Sequence, residues 1–135
     1  MASTEPRRGE VWLVSFGAAR TGEPGKNRPA VIVSSDSLNT GTAADLIVVV
    51  PLSSSSAPSV LRPEVQDMDG VDRPSRVICR SVRGVAPSRL LRKLGLLAPA
   101  TLDEVERALA LILDLDVTST TTASTAALPP GGRQS

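Results

Sequence analysis

Two short apolar runs, each next to a proline, constrain the fold of this chain more than any other feature of its sequence. Residues 30–33 (Ala-Val-Ile-Val) follow Arg28-Pro29, and residues 46–50 (Leu-Ile-Val-Val-Val) precede Pro51. Runs of this length are too short for a buried helix and are typical of strands that are covered on both faces. The sequence therefore predicts two buried strands.

Three further segments are predicted to be strands. The first begins at Gly9 and carries Trp12, Val14 and Phe16 on one face. Residues 60–65 are predicted to form a strand at a sheet edge, because Pro63 cannot donate a ladder hydrogen bond. The alternation of side chains over residues 77–82 predicts a half-exposed strand that presents arginines.

The clearest helical pattern lies near the C-terminus. Thr101 and Glu104 form a capping-box pair at its predicted start. Apolar surface continues round most of this helix, which favours a subunit contact over purely intradomain packing. Residues 87–92 are predicted to form a shorter helix. Strands first, one strong helix last and short connections predict a mainly β fold with appended helices, arranged as a small barrel or curled sheet.

The composition bounds the class of protein. The chain has 135 residues, 41% of them apolar, which suits one domain at residues 8–116. A loose arm at residues 1–7 and a disordered, low-complexity tail at 117–135 are predicted to flank it. With one cysteine, no histidine and no tyrosine, the chain lacks an intrachain disulfide and the usual residues for zinc binding and acid–base catalysis. No apolar run approaches the roughly 20 residues of a membrane helix, so we expect a cytoplasmic protein with no membrane contact.

Positive charge is concentrated in one segment, although the formal net charge of the chain is only +1. Between Arg73 and Leu102 the chain has no acidic residue and seven basic ones: Arg73, Arg76, Arg80, Arg83, Arg89, Arg92 and Lys93. Such a segment either forms a local surface that attracts phosphates or is balanced by acidic neighbours elsewhere in the fold.

Arg28 and a run of serines stand at the ends of the two apolar runs. Pro29 biases Arg28 towards an extended backbone, and Ser53 and Ser54 follow the second run. A guanidinium matches phosphate oxygens with two parallel donors, and a hydroxyl adds a third. The pair is therefore a candidate phosphate site. Taken singly, such an arginine more often pairs with a surface carboxylate, and such a serine more often caps a loop.

Several segments follow one another in a recognisable order. They are Arg-Gly-Glu-Val-Trp (8–12), a glycine-bearing loop, Asn-Arg-Pro-Ala-Val-Ile-Val-Ser (27–34), Val-Val-Pro-Leu-Ser (49–53), Arg-Leu-Leu-Arg-Lys-Leu-Gly (89–95) and the final amphipathic helix. This order resembles the MazF/PemK family of toxin endoribonucleases over residues 8–115.

The resemblance implies an SH3-like barrel of the CcdB type that forms a homodimer. It implies sequence-specific cleavage of single-stranded RNA without a metal ion or another cofactor, leaving 2′,3′-cyclic phosphate and 5′-hydroxyl ends. It also implies a MazE-like antitoxin whose acidic, apolar segment occupies the RNA groove.

The resemblance also implies roles for individual residues. The essential arginine of the family falls on Arg28, its hydroxyl on Ser53 with Ser54 as the alternative, and its loop glutamate on Glu23. Members usually carry threonine where this chain has Ser53. We expect Arg28 to stabilise charge first and to transfer a proton second, and Glu23 to support the site.

Five further residues are expected to bind RNA: Lys26, Asn27, Arg80, Ser81 and Arg83. Many members have acidic or amide residues where this chain has Arg80 and Ser81. That position lies near the RNA groove in the family, so we expect a different base preference here.

Two other classes of function compete with the nuclease. A CcdB-like toxin would share the barrel but poison a protein target such as DNA gyrase. A non-catalytic RNA-binding barrel or an antitoxin-dependent repressor would bind without cutting. Arg28-Pro29 together with Ser53 favours the nuclease.

Overall fold

The computed structural model describes residues 5–17, 26–40, 45–65, 71 and 73–116. These ranges contain β1 (Glu10–Ser15), β2 (Asn27–Ile32), α1 (Asp36–Asn39), β3 (Ile47–Ser53), β4 (Glu64–Val65), β5 (Ser75–Val77), β6 (Arg83–Val85), β7 (Leu90–Leu96) and α2 (Pro99–Leu113). Single 3₁₀ turns cover Cys79–Ser81 and Pro87–Arg89. The fold is mainly β with a C-terminal helix, which confirms the predicted class.

The strands form a curled antiparallel sheet that resembles half of a barrel. Their order is β4-β5-β3-β2-β1-β7, and β6 joins by pairing with β3. One side of β3 pairs with β2, whereas the other side pairs first with β6 and then with β5. Pro51, which has no N–H to donate, stands between the stretch of β3 that pairs with β6 and the stretch that pairs with β5. β3 is therefore the strand that holds the two parts of the sheet together.

Both faces of the central strands are buried, as the two apolar runs predict. On one face, side chains of the first three strands pack with Val105 and Ala108 of α2; they are Val11, Val31, Val50 and Leu52. On the other face, a second cluster consists of Trp12, Val14, Ala30, Ile32, Ile47, Val49 and Val85. Phe16 packs against this second cluster, so the predicted face of β1 is confirmed. Strand alternation thus sends successive residues into two separate cores.

The C-terminal helix is present, but its predicted capping box is wrong. α2 begins at Pro99 after Ala98, which makes no side-chain capping bond, so Thr101 lies inside the helix. A proline in the first turn costs no hydrogen bond and is already set for helical backbone. The helix ends at Asp114, whose N–H reaches the carbonyls of Ala110 and Leu111. Its outer side leaves leucines exposed, among them Leu111 and Leu113.

Other local expectations fail in two segments. Residues 87–92 do not form a short helix, because the 3₁₀ turn ends at Arg89 and β7 begins at once and pairs with β1. The predicted strand at residues 77–82 is interrupted by the 3₁₀ turn at Cys79–Ser81. In the predicted edge strand, only Glu64 and Val65 join the sheet, at its end, whereas Arg62 forms an isolated bridge with Ser59. Pro63 lies just before Glu64.

A buried polar pair holds the connection between β2 and β3. The Ser34 hydroxyl donates to Asn39 Oδ1 at 2.5 Å and accepts the N–H of Val48 at 3.0 Å. The Asn39 amide donates in turn to the Ser34 carbonyl at 2.9 Å. Both side chains are buried, so these bonds replace those that water would otherwise make.

Neither helix of the described ranges has the length and apolar character needed to cross a lipid bilayer.

Candidate active site

Arg28 and Ser53 come together through the pairing of β2 with β3. The register places Ala30 opposite Pro51 and Ile32 opposite Val49. Carried two residues further, the same register places Arg28 opposite Ser53. Residues directly opposite in an antiparallel pair point to the same face. This extension of the register places a guanidinium and a hydroxyl on the same face of the sheet, just beyond the last paired residues.

A hollow of about 340 Å³ lies at this point. It is lined by Arg28, Pro29, Leu52, Ser53, Ser54, Ser55, Val71, Arg73 and Ser75. Its volume is at the lower end of the roughly 300–1,000 Å³ typical of ligand pockets. The predicted pair and the alternative hydroxyl of Ser54 therefore share one hollow.

The polar groups of the pair have different surroundings. Arg28 is exposed, and no hydrogen bond or ion pair from the described residues reaches its guanidinium. The Ser53 hydroxyl accepts the N–H of Ser55 at 3.2 Å and lies 3.3 Å from the Ser55 hydroxyl. Accepting a backbone N–H fixes the oxygen of Ser53 while its own hydrogen can still be donated. The Ser53 hydroxyl therefore caps the loop with its oxygen and keeps a hydrogen that it can donate to a ligand.

The described residues predicted at the start of β2, Lys26 and Asn27, do not line the hollow. Glu23 lies outside the described residues. Lys26 and Asn27 are exposed at the start of β2, where the Lys26 carbonyl accepts the N–H of Phe16 at 2.8 Å. Neither lines the hollow of Arg28 and Ser53.

Arg80 and Ser81 are not on a strand, which corrects the expectation for them. Both are exposed in the 3₁₀ turn at Cys79–Ser81, and this turn contacts α2. The turn forms because Ser81 N–H donates to the Ile78 carbonyl and ends the ladder of β5. Neither residue lines the hollow.

Arg83 is held on β6, opposite Val49. Because Val49 and Ser53 alternate to the same side of β3, Arg83 lies on the sheet face of Arg28 and Ser53. Its guanidinium stands 5.3 Å from the ring centroid of Phe16. This cation–π contact orients the charge beside the only phenylalanine of the chain.

Two arginines at this site were not singled out from the sequence. Arg76 on β5 lies directly opposite Ser53, and Arg73 lines the hollow itself. The guanidinium of Arg76 already has protein partners, because it donates to the Arg62 carbonyl at 2.9 Å and lies 3.9 Å from the Glu64 carboxylate. The pattern that could have indicated Arg73 is its dipeptide with Pro74, which repeats the Arg28-Pro29 pair.

A larger hollow, of about 770 Å³, lies between the N-terminal segment and β7. Its most buried ionisable group is Glu10, which accepts from Trp12 Nε1 and Arg7 N–H at 2.9 Å each and pairs with Lys93 at 3.0 Å. Burial raises the pKa of Glu10, but these donors outweigh it and hold the pKa below its ordinary value. The carboxylate is satisfied by the protein. None of the predicted site residues that the structure describes lines this hollow, so size alone does not mark the site.

Cys79 is fully buried in the 3₁₀ turn, within the segment that was predicted to be a half-exposed strand. Burial raises the pKa of its thiol to about 11. The reactive thiolate is therefore scarce at neutral pH, which makes Cys79 a structural residue and not a nucleophile.

Comparison with known proteins decides the family. The profile of the PemK-like, MazF-like toxins of type II toxin–antitoxin systems matches residues 7–113. This chain belongs to the PemK/MazF toxin family. It is 36% identical over 116 residues to the endoribonuclease MazF9 of Mycobacterium tuberculosis, a match that covers 81% of this chain and 97% of the relative.

Solved structures of PemK/MazF toxins have the same fold. An endoribonuclease in complex with its cognate antitoxin, from Mycobacterial species, has a TM-score of 0.68 at 26% identity, covering 82% of this chain and 97% of that one. MazF from Deinococcus radiodurans has a TM-score of 0.70 at 23% identity, covering 84% and 100%. The toxin MazF-mt6 of Mycobacterium tuberculosis has a TM-score of 0.67 at 19% identity, covering 79% and 98%. At these last two identities the likeness is one of fold.

Proposed function

We propose that this PemK/MazF-family protein is an endoribonuclease toxin that cleaves single-stranded RNA at specific sequences without a metal ion. The observation that carries the proposal is the meeting of Arg28 and Ser53 in one hollow, through the register of β2 and β3. The match to the endoribonuclease MazF9 supports the same activity. It gives no support to the alternatives of a CcdB-like gyrase poison or a non-catalytic RNA-binding barrel.

The proposed reaction uses the RNA itself as the nucleophile. The ribose 2′-oxygen forms a bond to the adjacent phosphorus, and the bond from phosphorus to the 5′-oxygen breaks. The products are a 2′,3′-cyclic phosphate and a 5′-hydroxyl, with the proton of the 2′-hydroxyl balanced by the proton gained at the leaving oxygen. Because DNA lacks the 2′-hydroxyl, such a site acts on RNA alone.

Arg28 and Ser53 stabilise the charge that develops during this step. The phosphoryl oxygens gain negative charge in the transition state, and a planar guanidinium donates to two of them at once. The Ser53 hydroxyl adds a donor whose oxygen is held by the N–H of Ser55. Donors that are in place before the reaction contribute most when charge develops.

Proton transfer is the second role proposed at this site. Guanidinium groups stay protonated at neutral pH, so charge stabilisation ranks first for Arg28. Glu23 is the candidate for a supporting carboxylate. Lys26, Asn27, Arg80, Ser81 and Arg83 are the candidate RNA contacts, and the stacking of Arg83 on Phe16 beside the sheet face of the pair makes it the best supported of them.

A cognate MazE-like antitoxin is the proposed partner, since a structurally similar endoribonuclease is known in complex with its antitoxin. We further propose a cytoplasmic homodimer built from a domain at residues 8–116, flanked by an arm at 1–7 and a tail at 117–135. The exposed leucines of α2 support a protein contact on this helix. The arm and the tail fall largely outside the described residues.

The test is cleavage of long single-stranded RNA by the purified protein in EDTA. Discrete fragments are expected, with 5′-hydroxyl ends that a kinase labels directly and 3′ ends that resist tailing until the cyclic phosphate is removed. Arg28→Ala is expected to lose about 100- to 1,000-fold in rate, while Arg89→Ala, at an exposed arginine outside the hollow, is expected to keep it. Absence of fragments from the unaltered protein, or equal cleavage by Arg28→Ala, would contradict the proposal.

A further inference from the structure

Arg73 lines the same hollow as Arg28 and Ser53, although it belongs to the segment that leads into β5. Its backbone is held in two ways. The following Pro74 restricts it to extended conformations, and the Ser75 hydroxyl donates to its carbonyl at 3.0 Å. Ser75 is itself buried and lines the hollow. Arg73 is therefore placed at the hollow by its main chain.

The side chain of Arg73 is available for a ligand. Arg73 is exposed, and no hydrogen bond or ion pair from the described residues reaches its guanidinium. Arg76 differs, because its guanidinium is bound to the Arg62 carbonyl and faces Glu64, with 22% of the side chain exposed. Of the two arginines next to Ser53 and Ser54, Arg76 is bound within the sheet and Arg73 can bind an anion.

The lining of the hollow fits an anion with more than one charged group. Its described residues include two arginines, four serines and no aspartate or glutamate. Guanidinium groups and hydroxyls are donors that phosphate oxygens accept, and each arginine can donate to a phosphate with two parallel bonds. A single strand of RNA carries one phosphate per nucleotide, so a second phosphate always follows the first.

We propose that Arg73 binds a phosphate of the RNA next to the scissile phosphate, and so holds the strand across the hollow while Arg28 and Ser53 act on the scissile group. This inference rests on the proposed endoribonuclease function. In this role Arg73 is a substrate-binding residue that contributes mainly to affinity. Arg28, in contrast, contributes mainly to the rate of the bound complex.

The experiment separates binding from chemistry. Once the cleavage site is mapped, an RNA oligonucleotide carrying it is used in cleavage assays, and a copy with a 2′-deoxy nucleotide at the site is used for binding. Arg73→Ala is expected to weaken binding about tenfold and to leave kcat at saturating RNA within about twofold. The slope of log Kd against log salt is expected to fall by about 0.7, the value for one phosphate contact on a single strand.

Two further variants control the result. Arg73→Lys keeps the charge but loses the two parallel donors, so it is expected to retain the salt slope with an intermediate affinity. Arg89→Ala removes an exposed arginine of the same basic segment outside the hollow and is expected to match the unaltered protein. Thermal unfolding of each variant checks that the fold is unchanged.

The outcomes are distinct. If the unaltered protein cuts no RNA, the proposed function fails before Arg73 is tested. If it cuts RNA and Arg73→Ala keeps the affinity and salt slope, the inference about Arg73 alone is overturned. A fall in kcat with unchanged binding also overturns it, because that result places Arg73 on the scissile phosphate.

Discussion

The carboxylate of Glu10 and the ammonium of Lys93 join β1 to β7 through an ion pair of 3.0 Å. Only 9% of the Glu10 side chain is exposed, against 51% for Lys93. A buried carboxylate needs all its donors, because a charge left unpaired in the interior is costly. The indole of Trp12 and the N–H of Arg7 complete the set. The first strand is thus fixed at its start by one anion.

The Glu10 carboxylate makes the free energy of unfolding depend on pH. The pKa of Glu10 lies below its ordinary value of 4.5, so its contribution is present above about pH 4.5 and is lost as the pH falls through the lowered pKa. Glu10→Gln is expected to lower the free energy of unfolding at neutral pH by about 1–2 kcal/mol, a difference that shrinks in acid. Denaturant unfolding of both proteins over a pH series measures it.

The comparison is internally controlled. The pKa of Asp36 is also lowered, chiefly by the backbone N–H of Arg8, but Asp36 is present in both proteins and its acid sensitivity cancels in the difference. A difference between Glu10→Gln and the unaltered protein that stays constant from neutral to acid pH would contradict the role given to Glu10.

Ser34→Ala is expected to destabilise the protein by about 1–3 kcal/mol. The change leaves the partly buried N–H of Val48 without its acceptor and removes the donor to Asn39 Oδ1. Ser35→Ala is the matched control, since Ser35 is exposed and its hydroxyl contacts only the hydroxyl of Ser37; its effect is expected to stay within about 0.5 kcal/mol. Equal unfolding midpoints for the two variants would show that the buried pair does not hold the β2–β3 connection.

Ser53 and Ser54 can be told apart by their variants. Ser53→Ala is expected to reduce the cleavage rate about 100-fold or more, because it removes a positioned donor. Ser53→Thr keeps the hydroxyl and is expected to stay within about tenfold of the unaltered rate, with less rotamer freedom. Ser54→Ala is expected to change the rate only a few-fold. The reverse order of Ser53→Ala and Ser54→Ala would move the catalytic hydroxyl to Ser54.

Gly9→Ala is expected to cost at least about 1 kcal/mol. Gly9 has a φ of +92°, which L side chains rarely adopt, and an added Cβ would stand 3.4 Å from Leu102 Cδ2. Its N–H and carbonyl bond to Ile32 and Leu97, so the backbone there cannot easily relax. Thermal or denaturant unfolding measures the loss, and an unchanged midpoint would mean that the start of β1 is not constrained in this way.

The part of the fold that the sequence predicts best is the pair of strands that are buried on both faces. The runs at residues 30–33 and 46–50 predict strands because a short, wholly apolar segment has few other places in a small protein. The helix that the sequence predicts at residues 87–92 is wrong, because Leu90 and Leu91 fit a helix as well as a strand. Pairing of Leu90 with Val14 decides for the strand. That contact is distant in sequence, so local pattern could not reveal it.

Only part of the candidate site was predictable from the sequence. The resemblance of residues 27–34 and 49–53 to the family indicated Arg28 and Ser53, and the structure places both at one hollow. Arg73 was visible only as one charge in a basic segment, since its approach to the hollow depends on how β5 pairs with the end of β3. The prediction that Arg80 lies on a strand is wrong. The alternating side chains around it predict a strand, but the backbone there forms a 3₁₀ turn that the hydrogen bond from Ser81 N–H to the Ile78 carbonyl closes.

The register that pairs Ala30 with Pro51 and Ile32 with Val49, extended by two residues, also places Arg28 opposite Ser53. A slip of β2 by a single residue would turn Arg28 to the opposite face and push Ala30 and Ile32 out of their core. Misaligned molecules would thus not bring together the two side chains of the proposed phosphate site. Correct folding and assembly of the proposed site then depend on one and the same register.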